Sequence, residues 1–390
     1  MKNWKHPKTK TGDAVTGENY LRRDKINDYF WSFINKGSDV LFVAPRRVGK
    51  TSIMKDLASN APENTYCIYD DVEGVASRNM FYKRIFYMLI ERLSSVNKAK
   101  KLFSKWSRKY NIRSIGISKV EIEKEIENYY NEVTDLLKEV AKENLTVILF
   151  IDEFVEVLLN LKKMNKTDDA RNILHELREI RHNDNFKNII FVYAGSIGLH
   201  NIVKEIGRPK LINDIEPFRI KPLTEDEAFK LIQQLTKSAT ITYSSILQKY
   251  LTDKIEYLLP YFVQLMIQEV DRIAYDREIF DNDKSIIETA YINVIKNTSN
   301  FADWTKRLKD YSGKNYSFID LILTCIAHKN QLTIQEIYDI AVKQKKTEDY
   351  KDLIDELVKD GYLIENENVY TFLSPFIKDY WLHKNPISSC

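Results

Sequence analysis

The fold of this 390-residue chain is decided by one short stretch, Asp39-Val-Leu-Phe-Val43-Ala44-Pro45-Arg46-Arg47-Val48-Gly49-Lys50-Thr51-Ser52. It begins with an apolar run typical of a buried parallel strand and ends with residues that begin a helix. Between them, Ala44 to Thr51 fits the Walker A pattern, with alanine in place of the first glycine. Backbone N–H groups of such a loop, and the N-terminus of the helix after it, cradle phosphates. The stretch therefore predicts a strand, a phosphate-binding loop and a helix.

The side chains of this loop predict ATP or ADP as ligand and Mg²⁺ as cofactor. Lys50 is expected to neutralise the β- and γ-phosphate oxygens, and the Thr51 hydroxyl is expected to ligate Mg²⁺. The other candidate nucleotide-binding residues of the stretch are Ala44, Pro45, Arg46, Arg47, Val48, Gly49 and Ser52.

A second motif, about a hundred residues later, predicts ATP hydrolysis. The run Val147-Ile-Leu-Phe-Ile151 is the most apolar strand of the sequence, and Asp152 and Glu153 follow it, as in a Walker B motif. Asp152 is expected to hold the Mg²⁺ shell, and Glu153 to polarise the attacking water. A nucleotide-gated scaffold that hydrolyses negligibly is the less favoured alternative, because Lys50, Asp152 and Glu153 are all intact.

The order of elements predicts an α/β fold, the doubly wound parallel sheet of a P-loop NTPase, followed by two smaller domains. Strands alternate with helices through residue 220, which we assign as an ATPase core over 1–220. Residues 221–298 read as helices only and are assigned as a helical lid. Residues 299–390 read as three helices and then two short strands, the order of a winged helix-turn-helix.

Two further catalytic groups are expected near the phosphates. The strand Asn188–Tyr193 runs into Ala194-Gly-Ser196, where P-loop proteins with an extra strand between the Walker strands carry a polar sensor, so Ser196 is the candidate. An arginine is also needed to offset the γ-phosphate charge. Sequence alone does not choose among five candidates, of which Arg181 is carried forward as catalytic: Arg46, Arg47, Arg178, Arg181 and Arg208.

Five motifs in order resemble those of the archaeal and bacterial ATPases of the STAND branch of AAA+-like proteins: VTGENYLRRD, APRRVGKTS, FIDEF, AGSIGL and KPLTEDEA. The resemblance implies that Val15, Tyr20 and Arg23 pack around adenine and ribose. It also matches Pro260 to the proline of the family's lid motif, although Leu258 replaces the motif's glycine, so that Pro260 also fits the first position of a helix. Signalling or defence roles, through a protein partner, are what the resemblance implies for function.

Charge decides between a protein partner and DNA. The expected recognition helix, from about Thr347 to Asp360, and the wing after it are acidic, which phosphate would repel. We therefore favour an ATP-driven switch that controls a protein partner. A DNA-acting AAA+-type ATPase, akin to origin-recognition or transposition-targeting proteins, stays open because of one basic run with interleaved aromatic residues: Lys98, Lys100, Lys101, Phe103, Lys105, Trp106, Arg108, Lys109, Tyr110 and Arg113. The aromatic spacing of that run equally fits a solvated helix with a buried stripe.

Composition adds little about partners. The formal net charge is +3, too slight to imply nucleic acid by itself, and the apolar runs are strand-sized, so neither a membrane span nor a signal peptide is expected. A cytoplasmic protein is predicted, and a homo-oligomer stays open. Because the phosphate loop is basic and the C-terminal domain acidic, we also expect that domain to pack on the nucleotide face in one state.

Overall fold

The computed structural model describes residues 4–95, 100–116, 119–122, 126–143, 145–195 and 199–387. Its internal contacts divide the chain into two compact units, which we call the core unit and the helical unit. The core unit consists of Arg23–Val43 and Lys50–Ile220, and the helical unit of Met1–Arg22, Ala44–Gly49 and Lys221–Cys390. The N-terminal segment and residues 44–49, expected within the core at 1–220, thus make most of their contacts with the helical unit.

The core unit is built on a parallel sheet. Its strands are β1 (Val40–Val43), β2 (Thr65–Asp71), β3 (Ile112–Gly116), β4 (Lys119–Ile122), β5 (Thr146–Asp152), β6 (Ile189–Ala194) and β7 (Glu216–Arg219). Five of them form one sheet in the order β2-β5-β6-β1-β7, with every neighbouring pair parallel. The strands β3 and β4 form a separate antiparallel pair. The predicted parallel α/β fold is confirmed, with β6 lying between β1 and β5.

The core helices connect these strands. They are α1 (Asp24–Ile34), α2 (Lys50–Ser59), α3 (Arg78–Ser95), α4 (Lys100–Tyr110), α5 (Tyr129–Lys142), α6 (Phe154–Lys163), α7 (Thr167–Arg181) and α8 (Leu199–Glu205). Because β5 and β6 are the interior strands of a parallel sheet, every residue from Val147 to Asp152 and from Ile189 to Ala194 is buried. Such strands are covered on both faces, which is why their sequences are continuously apolar rather than alternating.

The edge strand β7 was missed by the sequence analysis. Its sequence, Glu-Pro-Phe-Arg, exposes three of four residues, and only Phe218 is buried. The Phe218 ring lies 5.1 Å from that of Phe42 and 5.8 Å from that of Phe30, centroid to centroid. Proline is tolerated because β7 pairs only with β1 and lies at the edge of the sheet. A single buried position in a charged tetrapeptide gives no periodic signal.

The helical unit contains the rest of the described helices. They are α9 (Glu225–Thr236), α10 (Ser245–Ile255), α11 (Pro260–Asp276), α12 (Lys284–Lys296), α13 (Ala302–Ser312), α14 (Tyr316–Lys329), α15 (Ile334–Lys343), α16 (Tyr350–Lys359) and α17 (Pro375–Lys384). Capping boxes begin α9, through Thr224 and Glu227, and α15, through Thr333 and Glu336. Within the described residues, none of the helices combines the length and apolar character that crossing a bilayer requires.

The C-terminal part of this unit carries a small antiparallel sheet. Its strands β8 (Leu332–Thr333), β9 (Leu363–Asn366) and β10 (Val369–Phe372) lie in the order β8-β10-β9. The hairpin between β9 and β10 turns at Glu367 and Asn368, both at positive φ, as a two-residue primed turn requires. The order from α14 to β10 matches the sequence expectation, with β8 as an additional strand. Its interpretation as a winged helix stays a prediction.

We expect Gly195→Ala to destabilise the core unit. A Cβ built at Gly195, just after β6, would lie 2.5 Å from Cγ2 and 2.9 Å from Cβ of Val155 on α6. Forcing a methyl group into packed core costs about 1–3 kcal/mol. Urea unfolding measures the loss. Gly74→Ala, whose added Cβ would have no atom within 4 Å, is the matched control and should be near neutral; equal stability of both variants would contradict the packing argument.

Candidate functional site

The phosphate loop joins β1 to α2 through backbone conformations that only some residues adopt. Gly49 has a φ of +94° and Arg47 a φ of +62°. A Cβ at Gly49 would meet no atom within 4 Å, so the glycine is needed for its backbone angle and not for space. The strand ends at Val43, as the sequence predicted, and the helix that was expected after the loop begins at Lys50.

The two Walker segments meet at the start of α2. Lys50, the first residue of that helix, is 9 % exposed, and Thr51 follows it. The Thr51 hydroxyl donates a hydrogen bond of 2.7 Å to Oδ2 of Asp152, the last residue of β5. A cationic side chain beside the N-terminus of a helix favours the binding of an anion. The structure therefore brings Lys50, Thr51 and Asp152 together within the core unit.

Asp152 is a buried carboxylate with three hydrogen-bond donors. Besides Thr51, it accepts a bond of 3.0 Å from the Tyr69 hydroxyl and one of 3.0 Å from the backbone N–H of Glu153. It is 2 % exposed. Burial raises the pKa of Asp152, and the charge of Glu153 adds to the rise, while Thr51, Lys50 and Tyr69 oppose it. The carboxylate is thus held in place at an electrostatic cost that a cation would relieve.

Tyr69 is a site residue that the sequence analysis missed. It lies on β2 and pairs in register with Phe150 of β5, so that its side chain reaches the carboxyl end of β5. Burial, followed by the charge of Asp152, raises the Tyr69 pKa, so that the phenol stays a hydrogen-bond donor at neutral pH. The only available signal was its place near the end of the strand beside the Walker B strand.

The donor set fits a hydrated Mg²⁺. A hydroxyl and a carboxylate oxygen, 2.7 Å apart at Thr51 and Asp152, are the oxygen ligands that this ion takes. Mg²⁺ is usually bound through one or two carboxylates together with substrate phosphates. Thr51 and Asp152, the predicted metal residues, are therefore suitably placed to hold it beside a nucleotide.

Glu153 has an unusual backbone at the point where β5 becomes α6. Its φ and ψ are 54° and 31°, the left-handed region, which few residues other than glycine adopt. Such strained positions cost of order 1–3 kcal/mol and cluster at functional sites. The expected action of Glu153 on water stays a prediction.

The predicted sensor Ser196 lies outside the described residues. The strand before it, β6, lies between β1 and β5 in the parallel sheet, with Val192 aligned with both Val40 and Phe150. Its last residue, Ala194, therefore lies at the same edge of the sheet as Asp152. The sensor role of Ser196 stays a prediction.

The structure argues against Arg181 as the catalytic arginine. Its side chain is 3 % exposed, and its guanidinium donates to Asp214 at 2.7 Å and to the Tyr193 hydroxyl at 3.0 Å. It also lies 4.0 Å from the carboxylate of Asp39, which precedes β1. The phosphate loop leaves from the opposite end of that strand. We therefore correct the assignment: Arg181 is a buried ion-pair residue, tied at the amino end of β1.

The other arginine candidates differ in their surroundings. Arg178 also bonds Asp214, at 3.2 Å, and Asn213, at 2.8 Å. Arg208 is exposed after α8. Arg46 and Arg47 contact residues of the helical unit. Arg46 and Arg47 remain candidates for the arginine that offsets the charge of the γ-phosphate.

The residues assigned to adenine by resemblance are placed as follows. The Tyr20 carbonyl accepts a bond of 3.0 Å from the Gln234 amide in the helical unit, and Val15 lies in the same segment. Arg23 is 7 % exposed and precedes α1 in the core unit. Pro260 is the first residue of α11, the place where proline is favoured in any helix. The adenine roles of these four residues stay predictions.

The basic run belongs to a helix with a buried aromatic stripe. On α4, Trp106 and Tyr110 are each 2 % exposed. Lys109 lies 2.7 Å from the Glu132 carboxylate, and Lys105 pairs with Glu139. Lys98 lies outside the described residues. The alternative of a solvated helix face therefore fits the described part of the run better than a nucleic-acid surface does.

Comparison with known proteins supports the fold. No protein-family model matches the chain, and no curated protein matches it. A solved Walker-type ATPase of Pyrococcus abyssi is similar over 96 % of this chain and 98 % of its own, with a TM-score of 0.63 at 17 % identity. The ORC2 protein of Aeropyrum pernix, in ADPNP–ADP complexes, is similar over 93 % and 94 %, with a TM-score of 0.50 at 12 % identity. The chain has the fold of the Walker-type P-loop ATPases.

We expect Asp152→Asn to raise the free energy of unfolding at neutral pH. Because the folded-state pKa of Asp152 is raised above its ordinary value of 3.8, ionisation of this carboxyl lowers the stability progressively as the pH rises from 3.8 through the raised folded-state pKa. Below 3.8 the carboxyl is protonated in both states, so the advantage of the amide should shrink as pH falls. Urea unfolding of both proteins across pH measures this.

The control for this measurement is Asp28→Asn, which neutralises an exposed acid on α1. It should show no comparable stabilisation. An Asp152→Asn protein that is less stable than wild type at neutral pH would contradict the assignment of burial as the dominant effect.

Proposed function

We propose that the protein is an ATPase that binds ATP with Mg²⁺ and hydrolyses the γ-phosphate. The observation that carries this proposal is the hydrogen bond of 2.7 Å between Thr51 and Asp152, which are 101 positions apart in the chain. It joins a hydroxyl at the start of a loop-initiated helix to a buried carboxylate at the end of a central strand. That pairing is what a Mg²⁺–nucleotide site of the P-loop type requires.

Different residues of the site are proposed to bind the phosphates, to hold the metal and to activate the water. Lys50 and the N-terminus of α2 bind the phosphate oxygens, and Thr51 and Asp152 hold the metal shell. Mg²⁺, when bound, neutralises developing charge on the phosphates. Glu153 orients the attacking water and takes its proton, while Tyr69 keeps the Asp152 carboxylate in position through its 3.0 Å bond. Ser196 is proposed to contact the γ-phosphate.

We expect Lys50→Ala to remove ATP binding, and Glu153→Gln to keep binding while turnover falls by at least about a hundredfold. Lys50 acts on ground-state phosphates, whereas Glu153 acts on the water in the transition state. Titration with a fluorescent ATP analogue gives the Kd, and phosphate release gives kcat. Equal loss of affinity in both variants would show that Glu153 is not a catalytic carboxylate.

The biological role we propose is a cytoplasmic nucleotide-dependent switch of the STAND type that controls a protein partner. The acidic character of the C-terminal part supports a protein rather than DNA. Exposed acids predominate just before and on α16 and in the hairpin of β9 and β10, namely Glu348, Asp349, Asp352, Glu365 and Glu367. Lys351 of the same helix is bonded to Asp355 at 2.8 Å. A phosphate backbone would be repelled by this surface. The alternative of a DNA-acting AAA+-type ATPase draws on the likeness to ORC2.

We expect the full chain with Mg²⁺–ATP to show no salt-resistant or sequence-specific binding to duplex or single-stranded DNA. Fluorescence anisotropy from about 50 to 200 mM salt tests this, since purely electrostatic binding by several phosphate contacts falls by orders of magnitude over that range. The Lys50→Ala protein is the control for nucleotide dependence. A footprint on a defined duplex at about 200 mM salt would favour the DNA-acting alternative.

A further inference from the structure

One carboxylate of the helical unit lies between two arginines of the phosphate loop. Asp303 is in the first turn of α13. Its Oδ2 atom is 3.3 Å from Nη2 of Arg46 and is also bonded by Nη2 of Arg47. The Asp303 carbonyl accepts a second bond of 3.3 Å from Arg46. An oxyanion thus already occupies the position between two guanidinium groups of a loop whose sequence predicts phosphate binding.

The Arg47 guanidinium is fixed from several sides. It lies 4.6 Å from the ring centroid of Tyr261, at the start of α11. It donates to the backbone carbonyls of Thr11 and Gly12, at 3.4 and 3.3 Å. A cation over an aromatic face with charge-assisted bonds is a defined geometry and not a loose surface pair. The arginine is therefore oriented by parts of the chain that follow and precede the loop.

The side chain of Pro45, in the phosphate loop, lies close to the turn before β9. A Cβ at Gly361 would lie 3.2 Å from Cβ of Pro45, and Gly361 has a φ of +76°. The next residue, Tyr362, donates through its hydroxyl to the Trp304 carbonyl at 2.9 Å, beside Asp303. The Gly361 turn and the first turn of α13 are thus joined, and both contact the phosphate loop. A displacement of Asp303 would therefore be transmitted through these contacts to the small sheet of β8, β9 and β10.

We propose that Asp303 competes with the phosphates of ATP for Arg46 and Arg47, so that nucleotide binding and the contact of α13 with the phosphate loop exclude each other. The proposal rests on the proposed ATPase function. The pair is partly solvated, since the side chains of Arg46, Arg47 and Asp303 are 17 %, 26 % and 41 % exposed. Exposed pairs are modest in strength. A multiply charged phosphate chain can therefore displace the single carboxylate.

The competition predicts the direction in which the apparent Kd for ATP changes when Asp303 is removed. If Asp303 holds most molecules in a state in which the arginines are occupied, the apparent Kd for ATP is the intrinsic Kd divided by the fraction of molecules that are competent. Removing the carboxylate raises that fraction. A merely structural Asp303 would give the opposite result, because losing a structural contact does not improve ligand affinity.

We expect Asp303→Asn, in the full chain, to lower the Kd for the fluorescent ATP analogue with Mg²⁺ by at least about fivefold. In an Arg46→Gln/Arg47→Gln background the same substitution should leave the Kd unchanged, because the arginines for which Asp303 and the phosphates compete are gone. Asp303→Ser provides a second removal of the charge, and circular dichroism with thermal melting verifies folding of each protein.

The matched control is Asp281→Asn, which removes an exposed acid between α11 and α12. It changes the net charge by the same amount and should leave the Kd unchanged. An unchanged or weakened affinity in a folded Asp303→Asn or Asp303→Ser protein overturns the proposal, as does a gain that persists without the two arginines. Failure of the wild-type chain to bind ATP would instead overturn the ATPase function itself.

Discussion

The hydrogen bond from Thr51 to Asp152 depends on the whole architecture of the core unit. Thr51 follows β1, and Asp152 ends β5, but the two strands do not touch, because β6 lies between them. Parallel pairing on both sides of β6 brings their carboxyl ends to one edge, in register at Val192. A single antiparallel strand at this place would send one of the two Walker segments to the opposite edge. The direction of the strands therefore places the two Walker segments at the same edge of the sheet, whatever side chains they carry.

Two buried polar clusters lie at the two ends of this sheet. At the carboxyl end, Asp152 accepts three hydrogen bonds, yet burial still raises its pKa. At the amino end, burial raises the pKa of Asp39 to about 7, against the opposing charge of Arg181. The second cluster satisfies its charges internally, through Asp214 and the Tyr193 hydroxyl. The first lies at the phosphate-loop end of the sheet, beside Lys50 and the start of α2.

The phosphate-loop sequence is divided between the two units, since Ala44–Gly49 has its contacts in the helical unit while Lys50 begins a core helix. The sequence led us to expect acids of α16 and the hairpin near the loop. The carboxylate that contacts the loop arginines is instead Asp303 of α13, an element with mixed charge and no acidic signature.

The sequence alone determined the local elements that carry their own signal. Continuous apolar runs predicted β1, β5 and β6, and the glycine and lysine of the loop predicted its phosphate chemistry, because backbone angle and charge belong to single residues. The tertiary structure decided what depends on neighbours. Tyr69 contacts Asp152 because β2 pairs with β5. Arg181 is not placed at the phosphate loop, because it is bonded to Asp214. The strand β7 is held by one buried phenylalanine, Phe218, which packs against Phe42. Contacts between residues that are distant in the chain leave no periodic or compositional pattern in the local sequence, so they become apparent only in the folded structure.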